Sequence, residues 1–139
     1  MQNIKKITDL LLALKLLAHQ THLLSVSHAD HLLAERIQDG LDSNIDLLKE
    51  ISLYYFNENY IASCCDTLEG ALDYVKDVNE NISIDQAFSY ILEIIDKLIS
   101  MCGISIETEE RKTGLTTALG DVARDLSQKG YLVKQRLGK

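Results

Sequence analysis

Residues 27–56 read SHADHLLAERIQDGLDSNIDLLKEISLYYF and carry two stripes at helical spacing. Ser27 followed three residues later by Asp30 is a helix-start signal of the capping-box kind. Leu33, Ile37, Leu41, Ile45, Leu48 and Tyr55 then recur every three or four residues, and at ~100° per residue they gather on one side. A polar set gathers roughly opposite. With His31 at zero, Glu35 falls at about 40°, Asp42 at about 20°, Asp46 at about 60° and Glu50 at about 100° around the helix. The spacing predicts one helix from Ser27 to about Phe56, where Asn57-Glu58-Asn59 breaks the pattern.

Working outward, the same periodicity holds almost throughout. Residues 2–24 form a first helix, apolar around most of its circumference, with Ile4, Ile7, Leu11, Leu14 and Leu17 as core candidates. After residue 56 comes a shorter helix over about 60–78, closed by Asn79-Glu80-Asn81. Ser83 and Gln86 make a second capping box, leading into a helix whose Ile84, Phe88, Ile91, Ile95 and Leu98 step by four and three, and which Gly103 ends. A last helix begins near Thr108 and carries Leu115, Leu119, Val122, Leu126, Val133 and Leu137. The chain has no proline, which favours long helices joined by short turns. The fold expected is all-α: a ferritin-like four-helix bundle, with a short extra helix in the crossover between the second and third main helices. Residues 1–139 suit a single domain of this kind.

Composition narrows the function. No stretch approaches the ~20 apolar residues of a membrane span, and the leucine-rich start lacks a small-residue cleavage site, so a cytoplasmic protein is expected. Cys64, Cys65 and Cys102 are an odd set with two neighbours adjacent, which points to small buried side chains in a reducing compartment rather than to disulfides. The net charge is −7, yet residues 111–139 hold 7 basic and 2 acidic side chains. Their scatter along an amphipathic helix reads as a solvated face rather than a DNA-binding one.

All four histidines, His19, His22, His28 and His31, lie within thirteen residues. An acidic stripe opposite a core face is the ordinary look of a solvated helix, and histidines at a helix junction are often surface groups; the spacing supplies more. His31 and Glu35 are one turn apart, as are Asp46 and Glu50. Along an unbroken helix His31 and Glu50 stand about 28 Å apart, too far to share an ion. Two copies packed antiparallel remove the distance: the midpoint of 31 and 50 is 40.5, and so is that of 35 and 46. Gly40 sits at that centre, where a missing side chain allows close approach. Imidazole with several carboxylates suits iron or manganese, and also zinc.

This arrangement resembles the Dps family of miniature ferritins. Their metal site lies between subunits and takes a histidine from the first helix, a histidine and an acid from the second, and an aspartate and a glutamate from the two-fold mate. The matching positions are His22, His31, Glu35, Asp46 and Glu50, with His19 a rival to His22. The run Asp121-Val-Ala-Arg-Asp125-Leu-Ser-Gln-Lys-Gly-Tyr131-Leu also resembles the family's last helix. Glu35 stands where aspartate is usual, and the first two histidine positions are three residues closer than in typical members. The resemblance implies a homo-oligomer, a two-fold dimer or larger, that binds Fe(II) and oxidises it with dioxygen or peroxide, serving iron storage or protection from oxidative stress. A site inside each bundle is not expected, because no Glu-x-x-His motif is present.

Two rival readings remain. One is a helical dimerisation or interaction module that needs no metal; since buried unpaired charge is costly, it predicts a monomer or a dimer through another face. The other is duplex binding by the basic last helix, which would show as steep salt dependence.

Overall fold

The computed structural model describes residues 2–139, as helices α1 (Gln2–Leu24), α2 (His28–Gln38), α3 (Leu41–Phe56), α4 (Cys64–Val75), α5 (Ile84–Thr108) and α6 (Thr113–Leu137). No strand occurs among the described residues. The apolar positions of the main helices meet in one core. Ile7, Leu11 and Leu14 from α1 join Ile37, Leu41 and Leu48 from α2 and α3; Phe88, Ile91 and Ile95 come from α5, and Leu119, Val122 and Leu126 from α6. No helix among the described residues is long and apolar enough to cross a membrane.

The helix expected over residues 27–56 is broken. Ser27 starts α2, its hydroxyl accepting from the Asp30 N–H at 3.1 Å. Asp30 does not complete the box, because its carboxylate is taken by Arg136. At Asp39 the backbone leaves the helix, and Gly40 takes a left-handed conformation at φ 80°. Glycine reaches that region without the Cβ clash other residues suffer. The break frees the Asp39 carbonyl, which accepts from the buried ammonium of Lys129. Lys129 also pairs with Asp125 at 2.7 Å, and Asn44 donates to the same carboxylate at 3.1 Å. The kink is thus tied to α6 on both of its sides. Beyond it α3 runs to Phe56 and stops at left-handed Asn57, where the sequence puts the end.

Three other boundaries move. The helix expected over 60–78 divides into a 3₁₀ turn at Asn59–Ala62 and the shorter α4, capped by Ser63. Helix α5 starts in a complete capping box between Ser83 and Gln86, but it passes through Gly103 and continues to Thr108. One mid-helix glycine costs only about 0.5–1 kcal/mol, and buried Cys102 and Ser105 hold the helix in place around it. The last helix accordingly begins at Thr113. Cys102 is buried, its thiol pushed up to about 11 by desolvation, whereas Cys64 and Cys65 are exposed, contrary to the composition reading.

Side-chain contacts give the connectivity. Lys15 meets Asp42 at 2.9 Å and His22 meets His31, so α1 runs antiparallel to α2 and α3. Arg136 near the end of α6 reaches Asp30 at the start of α2 and Asp85 at the start of α5, so α6 opposes both. The α2–α3 pair and α5 therefore point the same way. The chain must return along the bundle between them, and α4 makes that return beside α1. It packs close: a Cβ at Gly70 would overlap the Asp9 carboxylate.

Candidate metal centre

The site begins at the corner between α1 and α2. Thr21 donates to the Leu17 carbonyl and Ser25 to the Thr21 carbonyl at 2.6 Å, so side chains occupy carbonyls near the end of α1 and the chain turns in three residues. The tight turn puts His22, on the last turn of α1, against His31, on the first turn of α2. Their rings lie 3.8 Å apart between centroids, tilted by 32°. Each Nδ1 faces the other residue's backbone carbonyl, His22 at 3.4 Å and His31 at 3.2 Å. A carbonyl oxygen can only accept, so each neutral ring donates through Nδ1–H and keeps its lone pair on Nε2. That is the arrangement by which metal-binding histidines are commonly held: one nitrogen fixed by a backbone or carboxylate acceptor, the other free to ligate. His19 lies one turn back, its ring stacked on that of His22 at 6.2 Å and 12°. Of the two first-helix candidates, His22 is the one touching His31.

The acids lie along the kinked element. Glu35 follows His31 by one turn on α2 and is exposed; Asp46 and Glu50 are exposed on α3, one turn apart. Asp42 is engaged by Lys15 through both carboxylate oxygens. Because Gly40 interrupts the helix, the single angular stripe and the distance of an unbroken rod do not describe residues 31–50; α2 and α3 present their polar rows as two short segments joined at the kink. Among the described residues of one chain, no group of three or more histidine, cysteine, aspartate or glutamate side chains comes close enough to hold a metal ion. One chain brings His22 and His31 together and carries Glu35, Asp46 and Glu50 on the same kinked element.

Arg136 fastens this corner. It donates to Asp30 through Nε at 2.6 Å and through a second nitrogen at 3.1 Å, meets Asp85 at 2.9 Å, and lies over the Phe88 ring at 5.4 Å. The guanidinium holds the Asp30 carboxyl below its ordinary range, and the two carboxylates raise Arg136 in turn. The clamp, and the bonds that tie Lys129 to Asp39 and Asn44 to Asp125, do not follow from local spacing, since they join residues that are distant in sequence; only the Lys129–Asp125 pair, one turn apart on α6, is local.

No protein-family model matches the chain, and comparisons with curated proteins and with solved structures likewise find no match.

Proposed function

We propose that the chain is a ferritin-like, Dps-like protein that binds Fe(II) between two copies of itself and oxidises it. The observation that carries this reading is the pair of imidazoles at the α1–α2 corner, each held through Nδ1, with no hydrogen-bond partner for Nε2 among the described residues. The connectivity supports it as well: two antiparallel helix pairs joined by one long crossover are the ferritin-like arrangement. His22, His31 and Glu35 of one copy, with Asp46 and Glu50 of the other, offer two neutral nitrogen donors and three anionic oxygens. Such a set suits iron, and manganese or zinc would compete for it.

Iron here is the substrate. Each Fe(II) gives up one electron, and the hard carboxylate donors favour the Fe(III) that results. Two electrons and two protons convert one peroxide to two waters, or one dioxygen to one peroxide. The residues of the chain hold the ions close to the oxidant, and the two backbone carbonyls orient the histidine rings. Lys15, by occupying Asp42, withdraws one acid from the set.

The test uses His31→Ala and Glu50→Ala. Each should lose Fe(II) oxidation above the protein-free rate while keeping full helicity, and mixing the two should restore part of it, since a heterodimer retains one intact site. Full activity in both single variants would exclude the assignment. The alternative, a dimerisation module of the same fold without chemistry, predicts oxidation at the blank rate in the unaltered chain.

A further inference from the structure

Helices α4 and α5 both pack on α1 and leave a groove between them, a space of about 280 Å³. Buried Leu10 and Leu17 of α1, two turns apart, make its floor. Tyr74 near the end of α4 and Val78 in the turn after it form one wall. Tyr90, Glu93, Ile94 and Lys97 form the other, at the i, i+3, i+4, i+7 spacing that puts them on one face of α5. No residue of this groove belongs to the proposed metal centre.

The mouth of the groove is charged. Asp77 and Glu93 are both exposed there, and neither makes an ion pair among the described residues; Lys76, beside Asp77 in the chain, pairs with Asp73 at 3.6 Å. Lys97 follows Glu93 by one turn, the spacing of a helical ion pair. Its ammonium instead lies over the Tyr74 ring, 5.0 Å from the centroid. A ring face attracts a cation through its quadrupole, so the groove already holds one cation on an aromatic face with two carboxylates left unpaired. An anion entering here would meet like charge from Asp77 and Glu93.

We propose that this groove binds a small organic cation, an ammonium group carrying a short apolar chain. The ammonium sits among the Tyr74 and Tyr90 rings and the Asp77 and Glu93 carboxylates, and the chain lies on Leu10, Leu17 and Ile94. Lys97 is the resident competitor. It occupies the Tyr74 face until the ligand enters and then returns to water, which its long flexible stem allows.

The test is calorimetric titration of the full chain with hexylammonium, and with hexanoate and hexanol as probes of the same chain length and different charge. Hexylammonium should bind saturably, at one site per chain, and more tightly than either of the others. Tyr90→Ala should weaken it by about twofold to fivefold, the range of one exposed cation–π contact. Glu93→Gln should weaken it too, whereas Lys97→Met should tighten it, because the competing ammonium is gone. All three positions are exposed, so helicity should match that of the unaltered chain. Hexanoate binding as tightly as hexylammonium, or hexylammonium binding that weakens in Lys97→Met, would overturn the proposal and make Lys97 an anchor for anions. Hexanol binding as tightly would overturn it by showing a groove indifferent to charge. No saturable binding of hexylammonium, or binding unchanged in both Tyr90→Ala and Glu93→Gln, would overturn it as well.

Discussion

Two charged side chains, Arg136 and Lys129, hold the polar half of the molecule in shape, and each can be probed singly. The Asp30 carboxyl is depressed in the folded chain by Arg136, so its contribution is present above the ordinary carboxylate value of 3.8 and is lost as pH falls through the lower folded value. Asp30→Asn should therefore be less stable than wild type near neutrality, and the gap should narrow below about pH 4. Urea unfolding at a neutral and an acid pH reads this directly; a gap that is constant with pH would mean the ion pair contributes nothing. Lys129 is buried with Asp125 and the Asp39 carbonyl as its partners. Asp125→Ala removes the charged partner and should cost about 1.5–3 kcal/mol, seen as a lower urea midpoint at unchanged slope. A loss below a few tenths of a kcal/mol would show that the carbonyl alone satisfies the ammonium.

At the scale of elements, the two glycines that interrupt helical patterns are opposites. Gly40 sits at φ 80°, where any Cβ is strained, so Gly40→Ala should destabilise by about 1–2 kcal/mol. Gly103 is inside α5 with open space around its Cβ position, so Gly103→Ala should stabilise by about 0.5–1 kcal/mol. Equal effects in thermal melts would contradict the assignment of one to a kink and the other to a continuous helix. The sequence itself does not separate them. Apolar residues on both sides of Gly40 keep helical spacing, and the group that stabilises the kink, Lys129, lies 90 residues from Asp39. Where the signal is local the reading succeeds: α1, the Ser83–Gln86 box and the stop at Asn57 are all legible, because each depends on residues within one or two turns. The candidate site divides in the same way. Histidine and acid one turn apart are visible as a spacing, whereas the contact of His22 with His31 depends on the path of the turn over residues 25–27, which periodicity does not describe.

At the scale of the whole molecule, the α2–α3 element presents Glu35, Asp46 and Glu50 exposed in a chain of net charge −7. Two such faces brought together without cations would bury like charges at a cost of several kcal/mol, so divalent metal should tighten the dimer and a chelator should loosen it. Sedimentation with manganese(II) and then with a chelator checks this; a dimer equally tight in both would contradict a metal-bridged face. The most direct measurement is aerobic titration of metal-free protein with Fe(II), following ferric absorbance in the near ultraviolet against a protein-free blank. A site completed by two copies predicts fast oxidation that saturates at a fixed ratio of iron to dimer, and slower oxidation beyond that ratio if the iron is stored as mineral. A trace that follows the blank from the first addition would contradict the ferroxidase reading.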